Sequence, residues 1–407
     1  MPPMAKDPLR VFISAGEHSG DAHGAALAKR LRALEPDVQV EGVGGPLMRE
    51  AGVHLHLDMV EHAAMGLVPV IKKLPFFRAA LEDTARRLAA EPPDVLVPID
   101  YPGFNLRLSA RARKVGVSVS YYVSPQVWAW RPGRIHRIAR LVDHMMVLFP
   151  FEQPLYERVG VPCTFVGHPL FDELRTRRPS PAFRAGLGLD PATPLLGILP
   201  GSREQEVRRN LAGLLAAAAQ VHERDPRVRY ALPVAKPALR PLIEEECARY
   251  PRLDIAVLDG KASDVARVAR AAITVSGTVT LELLHYRCPM VVVYRVSRAQ
   301  KWLADRLLTT RHIALVNILA EREICPEYLA ARDVSADVAR DALSLLRPGK
   351  ARKRCLSRMK SLLARVDVKG VHRRAAQTVL EVARSARAGR GREAVRLEPP
   401  RSAGGDA

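Results

Sequence analysis

Arg10-Val11-Phe12-Ile13-Ser14-Ala15-Gly16-Glu17-His18-Ser19-Gly20-Asp21 is the stretch that decides the fold. Apolar and small residues follow one another from Val11 to Ala15 without polar alternation, the pattern of a strand covered on both faces of a parallel sheet. A glycine-bearing turn comes next, and Ala22–Leu34 then carries helical periodicity. Glycine at a strand-to-helix turn lets backbone approach a ligand, and the helix N-terminus offers free N–H groups to an anion. The spacing is not G-x-G-x-x-G and no Walker lysine follows, so dinucleotide and ATP binding gain no support. A plain βα turn with Ser19 or Asp21 as N-cap explains the same residues equally well.

Working outward, the motif repeats. Strands are expected at Val38–Val43, Asp94–Ile99, Val117–Val123, Met145–Phe149 and Cys163–Val166, with helices between several of them. After an Arg/Pro/Gly-rich break the alternation restarts at Leu195–Leu199, Val228–Pro233, Asp254–Leu258, Ala272–Val275 and Met290–Val293. Strand–helix repetition of this kind predicts an α/β protein with two doubly wound, Rossmann-like parallel sheets facing a cleft, and a helical C-terminal region. The expected boundaries are 8–171 for the first domain, 172–194 for a linker and 195–346 for the second domain. Basic helices at 347–387 and a disordered tail at 388–407 complete the chain.

The 407 residues suffice for two cores, and a 48% apolar content fits a folded chain. No run of 18 apolar residues occurs, and the first apolar run is too short for a signal-peptide core, so a cytoplasmic protein is expected. Five scattered cysteines without a C-x-x-C pair argue against a disulfide framework or a zinc site. The net charge of +20 is concentrated: residues 347–396 hold 16 Lys/Arg against 3 acids, and 107–140 hold 8 against none. Two basic patches on a balanced body point to an anionic surface, phospholipid or nucleic acid, although solvated helix faces give the same count.

Several strand ends carry chemistry. Asp100 closes the buried Asp94–Ile99 strand, the place where α/β enzymes put reacting groups, and a carboxylate there can take a proton from a sugar hydroxyl; it can equally cap the next helix. Val43-Gly44-Gly45-Pro46 reads as a turn requirement. Trp128 and Trp130, beside a basic run, form either a sugar or acyl wall or a core plug. His168 ends the last strand of the first half and borders the expected cleft, though a lone histidine is more often structural. In the second half, Leu199-Pro200-Gly201-Ser202-Arg203 and Val275-Ser276-Gly277-Thr278 each end a strand and open a helix. Gly201 and Gly277 permit close approach, Ser202, Arg203, Ser276 and Thr278 suit a diphosphate, and Glu282 suits a ribose diol. Caps explain either loop separately; two such loops on neighbouring strand ends favour a nucleotide. With no D-x-D motif and no His/Cys cluster, no metal and no cofactor are expected.

Taken in order from about Arg10 to about Arg384, these segments resemble the lipid-A-disaccharide synthase family. The likeness rests on Gly16-Glu17 with Ser19-Gly20-Asp21, Val43-Gly44-Gly45-Pro46, Asp100 with Phe104-Asn105, and Val166-Gly167-His168-Pro169. It rests further on Leu199-Pro200-Gly201-Ser202-Arg203, Ser276-Gly277-Thr278 with Glu282, and Asn317-Ile318-Leu319-Ala320. The Tyr122-Val123-Ser124-Pro125 segment with Val127-Trp128-Ala129-Trp130 is the most specific of the set. His18, Gly103 and Val316 depart from the usual pattern, so a second carboxylate beside Asp100 is absent.

The resemblance implies a GT-B fold and an inverting, metal-independent transfer of 2,3-diacylglucosamine from its UDP conjugate to 2,3-diacylglucosamine 1-phosphate. It makes Asp100 the base, Arg203, Ser202, Ser276, Thr278, Glu282 and Asn317 donor positions, and Glu17 and Ser19 acceptor-side positions. Met65, Leu67, Val68, Val70, Phe76 and Phe77, with two lysines among them, then become candidates for acyl or membrane contact, or else an internally packed connection. Peripheral attachment to the inner face of the inner membrane and a homodimer are compatible with this picture. Another UDP-sugar enzyme, such as a UDP-N-acetylglucosamine 2-epimerase or a different lipid-linked transferase, is the alternative. Nucleic-acid binding lacks the interleaved aromatics it would need.

Overall fold

The computed structural model describes residues 7–64, 70–129, 132–178, 180, 182–307 and 310–397. The chain forms two compact units: one built from the chain to Val127, the stretch ending at Pro169 and the chain from Gly370, the other from Leu170–Lys369.

The first unit holds seven strands: β1 (Arg10–Ala15), β2 (Gln39–Gly44), β3 (His54–Asp58), β4 (Val95–Ile99), β5 (Ser118–Tyr122), β6 (His144–Val147) and β7 (Cys163–Phe165). They pair in parallel in the order β3-β2-β1-β4-β5-β6-β7. The central strands are buried on both faces, which is why their apolar residues run consecutively: Val95, Leu96, Val97 and Ile99 are sealed from solvent. The strand order reverses between β1 and β4, so the carboxyl ends of these two strands open on a crevice where α/β sheets bind ligands.

The second unit repeats the plan with β8 (Leu195–Leu199), β9 (Arg229–Val234), β10 (Ile255–Asp259), β11 (Ala271–Thr274), β12 (Met290–Arg295) and β13 (Glu327–Ala330). Their order is β10-β9-β8-β11-β12-β13, again all parallel, with the reversal between β8 and β11. Two strands, β3 and β13, fall outside the strands expected from sequence. Both lie at sheet edges and are mostly half-exposed, so neither shows an apolar run.

The domain boundaries also differ from expectation. The second unit begins at Leu170, and the expected linker carries helices at Pro169–Thr176 and Phe183–Gly186. The C-terminal helices divide between the units: Lys350–Val366 stays with the second, whereas Val371–Leu397 returns to the first. That last helix runs through residues 388–397, which had been expected to be disordered. It lies along the helix His18–Leu34 and against β4 and β5. The buried stripe Val371, Ala375, Ala376, Val379, Leu380 and Ala383 repeats at helical spacing, and the small residues let it approach closely.

Its arginines then anchor it. Asp94, 4% exposed just before β4, accepts from Arg387 Nε at 3.1 Å, from Arg390, and from the backbone N–H of Arg10 at 2.8 Å. Arg374 donates to the carbonyl of Val166 and Arg384 to Glu35. Arg374, Arg384, Arg387 and Arg390 of the basic stretch at 347–396 are therefore bonded internally.

Replacing Asp94 by Ala removes a buried carboxylate that two guanidinium groups and an amide share. Such a loss is expected to destabilise the first unit by about 3 kcal/mol, discounted from larger values because both arginines reach solvent. Thermal unfolding should show a drop of several degrees, and an unchanged midpoint would refute the anchor.

Candidate active site

In the first unit the site is built at the ends of β1 and β4. Asp100 and Tyr101, both at φ +46°, form two successive left-handed residues directly after β4. Non-glycine residues in this region cost about 1–3 kcal/mol each and persist only where neighbours hold them. The holding group is Asn105, fully buried one turn into the helix Pro102–Lys114. Its amide nitrogen donates to the carbonyls of Asp100 (2.8 Å), Ile99 (3.1 Å) and Ser14 (3.3 Å). Its oxygen accepts from the Ser14 hydroxyl at 2.7 Å, so one side chain ties β1 to β4. Tyr121 adds a hydroxyl bond to the Asp100 carbonyl at 2.6 Å, and the Asp100 N–H donates to the Tyr122 carbonyl at 2.9 Å.

The Asp100 side chain, half-buried, titrates above its ordinary 3.8 because burial disfavours its charge; the Tyr101 amide opposes this and Glu17 repulsion adds to it. A strained backbone carrying a carboxylate of raised basicity at a topological switch point has the marks of a reacting group. The sequence offered Asn105 only as part of a motif. Its bracing role becomes visible once the two strand ends are known to be adjacent.

Around this turn, Glu17 and Ser19 are exposed at the start of the helix His18–Leu34, free to meet a ligand, whereas Asp21 is buried. Asp21 does not cap its own helix. It reaches across to accept from the N–H groups of Gly45 (2.9 Å), Leu47 (3.0 Å) and Met48 (3.0 Å). A Cβ on Gly45 would lie 2.6 Å from the Asp21 carboxylate, so the Gly-Gly-Pro turn is structural. A Cβ on Gly16 would run into the ring of Tyr101. Ser124 hydrogen-bonds the buried Tyr156 hydroxyl at 2.7 Å, while Trp128 is half-buried in the turn after Val127. His168 stacks on Phe149 with ring centroids 5.5 Å apart, and its pKa is pushed down to about 4 by burial, with repulsion from His23 adding. It is a neutral ring at physiological pH.

In the second unit, the expected donor residues converge. A cavity of about 450 Å³ opens at the carboxyl ends of β8 and β11, and Gly201, Ser202, Arg203, Ser276, Gly277, Thr278 and Glu282 all line it. Gly201, at φ +111°, turns the chain into the 21-residue helix Glu204–Arg224, whose N-terminus faces the cavity. Ser202, Arg203, Gly277 and Thr278 are exposed to it. The Ser276 hydroxyl is already committed, donating to the Ile313 carbonyl at 2.6 Å, so this residue can serve a ligand through its backbone. Glu282 is buried and accepts from Ser263 and, at 3.3 Å, from Arg177, a cavity-lining cation absent from the sequence reading.

Glu206 was also missed. Its carboxylate folds back over the helix start, accepting from the N–H of Ser202 (3.3 Å) and of Arg203 (3.4 Å) and pairing with the Arg203 guanidinium at 3.0 Å. These donors are the ones an anion at this helix end would use, and the side chain's carboxylate holds them in register. A first-turn glutamate reads in sequence as an ordinary cap, which is why it carried no signal.

Three of the expected site residues pack within their own units. Asn317 does not line the cavity: fully buried, it bonds the Cys325 carbonyl (2.9 Å) and the N–H groups of Ile324 (2.8 Å) and Cys325 (3.2 Å), bracing its own loop. Phe76 and Phe77 are half-buried and pack on the core of the first unit, Phe77 with its centroid 6.0 Å from that of Tyr101. They support the active turn rather than face outward. Of the remaining membrane candidates, Met65, Leu67 and Val68 lie outside the described residues, as does Trp130, and Val70 is described only as the start of the helix Val70–Ala90. Among the described residues, no three His, Cys, Asp or Glu side chains group as a metal would need.

Comparison with known proteins agrees with this geometry. A family model described as Lipid-A-disaccharide synthetase matches residues 11–381. A lipid-A-disaccharide synthase of Geobacter sulfurreducens is 43% identical over 332 residues, covering 81% of this chain and 85% of that protein. A putative UDP-N-acetylglucosamine 2-epimerase from Listeria monocytogenes superposes with a TM-score of 0.61 at 13% identity, over 94% of this chain and 97% of that one. A kitacinnamycin glycotransferase gives 0.58 at 15% identity, over 92% and 99%. At such identities the solved structures speak for the fold alone, which is GT-B. With sequence likeness running through both units and their strand-end loops, the chain belongs to the lipid-A-disaccharide synthetase family.

Proposed function

We propose that this glycosyltransferase moves 2,3-diacylglucosamine from its UDP conjugate to a hydroxyl of 2,3-diacylglucosamine 1-phosphate, giving a β(1→6) disaccharide 1-phosphate and UDP. What carries the reading is the pairing of two unlike strand-end sites in one member of this family: a cavity of about 450 Å³ with anion donors, and a strained turn bearing a basic carboxylate. Each unit supplies one half of the chemistry. An α-linked donor and a β product require inversion, hence one displacement in which a base removes the acceptor proton as the new bond forms. Asp100 is that base. Its raised pKa makes it a better proton acceptor than an ordinary carboxylate.

As the bond to UDP breaks, negative charge grows on the diphosphate. The N–H groups of Ser202 and Arg203, the Arg203 guanidinium and the dipole of the helix Glu204–Arg224 stabilise it. Glu282 takes the ribose hydroxyls, and Glu17 and Ser19 meet the acceptor. The diphosphate displaces the Glu206 carboxylate, because two anions cannot share the same donors. Charge neutralisation by arginine and helix dipole removes the need for a metal. The acyl chains of both substrates place the reaction at a lipid surface.

The direct test mixes the two diacyl substrates and follows UDP and disaccharide by mass spectrometry. UDP-N-acetylglucosamine alone should yield neither UDP nor an epimer; epimerisation would overturn the assignment. Asp100→Asn, a residue that tolerates left-handed backbone, should lower kcat by about 10²–10⁴-fold with UDP affinity unchanged. The acid limb of the wild-type rate profile should lie above pH 3.8, since the base must be ionised and its pKa is raised. Full turnover in the variant would remove Asp100 from the reaction.

Two further outcomes follow from the donor cavity. Glu206→Gln should bind UDP about fivefold more tightly, a gain of ~1 kcal/mol from losing the resident anion, while uridine binds as before. Equal effects on UDP and uridine in calorimetry would contradict displacement. Turnover should survive a chelator; loss restored by magnesium would contradict a metal-free mechanism.

A further inference from the structure

The helix Arg298–Leu307, following β12 in the second unit, is amphipathic in an inverted sense. Ala299, Trp302 and Leu303 fall on one stripe at helical spacing and are all exposed, while Lys301 and Ala304 are the partly buried positions. Trp302 is 56% exposed and Leu303 48% exposed, the two most exposed large apolar side chains among the described residues. A tryptophan and a leucine side by side in water forfeit the burial that each would gain in an apolar medium. Exposed apolar pairs of this kind mark a contact surface when cations surround them.

Cations do surround them. Arg298, Lys301 and Arg306 lie on the helix, and its single acid, Asp305, is paired with Lys301 at 3.0 Å. The Arg306 guanidinium lies 4.0 Å from the Trp302 ring centre, so charge and indole sit at the same level. Tryptophan beside arginine at one height suits the boundary between headgroups and acyl chains, where the ring is apolar-seated and the cation meets phosphate. A protein partner is disfavoured by the same arrangement, since the long charged side chains ring the apolar pair instead of leaving a broad dry face.

We propose that the helix Arg298–Leu307 is a docking surface for an anionic lipid bilayer, with Trp302 and Leu303 entering the headgroup boundary and Arg298 and Arg306 meeting lipid phosphate. The proposal extends the reading of the chain as a lipid-handling transferase, because it gives the donor-binding unit its own hold on the surface from which the substrates come. None of these residues lines the donor cavity.

The full chain is tested by co-sedimentation with vesicles of phosphatidylcholine containing an equal part of phosphatidylglycerol, and with phosphatidylcholine alone. Wild type should bind the anionic vesicles, less so as salt rises, and the double variant Trp302→Ser/Leu303→Ser should bind about tenfold more weakly. Quenching of tryptophan emission by brominated lipid should be strong in wild type and much reduced in Trp302→Phe, which keeps the fold and the apolar area. With detergent-dispersed substrates the double variant should turn over like wild type, which separates docking from catalysis. Equal vesicle binding by wild type and the double variant, or no binding by wild type, would overturn the docking surface. Neither result would touch the assigned reaction, which the detergent assay measures independently.

Discussion

One buried amide governs the first unit's chemistry. Asn105 has no solvent to satisfy it, so each of its polar atoms must find protein partners, and they are the carbonyls at the ends of β1 and β4 and the hydroxyl of Ser14. In a parallel sheet the carboxyl ends leave backbone carbonyls unpaired where the strands stop. Asn105 closes them. By fixing the Asp100 carbonyl together with Tyr121, it permits two consecutive residues to remain left-handed, and no side chain caps the helix that follows. The strain of the turn is thus offset by hydrogen bonds in the most buried layer of the unit, where they are strongest.

The same strand is held at its other end by different means. Asp94 precedes β4 and joins it, through Arg387 and Arg390, to the helix Val371–Leu397. β4 therefore has a carboxylate at each terminus: Asp94, neutralised by arginines, and Asp100, which sits in a half-buried turn and makes no ion pair among the described residues. The contrast is electrostatic: Asp94 is paired with arginines, whereas burial, with Glu17 repulsion adding, raises the pKa of Asp100.

Much of this was legible in sequence, and the failures have physical causes. Consecutive apolar runs revealed the central strands, since strands covered on both faces have no reason to alternate; β1 and β8 fall where the runs place them. The edge strands β3 and β13, His54–Asp58 and Glu327–Ala330, carry no such run because one side of each meets solvent. Glycine and hydroxyl residues at strand ends line the cavity of the second unit, as an anion site made of backbone would need small residues to expose it. Asn317 and Asn105 look alike in a motif. Only the fold distinguishes an asparagine bracing its own loop from one joining two strands across 91 positions. Charge counting has a related ambiguity: a run of arginines is the same in sequence whether the acceptors are lipid phosphates or, as for Arg352, Arg374 and Arg387, the carbonyls and carboxylates of the chain itself.

The two units meet the problem of binding anions with opposite solutions, and the difference follows from what each must do. In the second unit the donors at the cavity are backbone N–H groups and an arginine on a helix start, held in geometry by Glu206, a set suited to a reversibly bound diphosphate. A carboxylate there preorganises the donors and at the same time competes for them, which favours release of the product as well as capture of the donor. In the first unit, Arg111 pairs with Glu82 and Arg113 with Asp143, so these two cations are committed to acids of their own. A cation placed beside Asp100 would lower its pKa and weaken it as a base. Burial, with Glu17 repulsion adding to it, is what raises the Asp100 pKa, the electrostatic condition that suits a carboxylate to accept a proton.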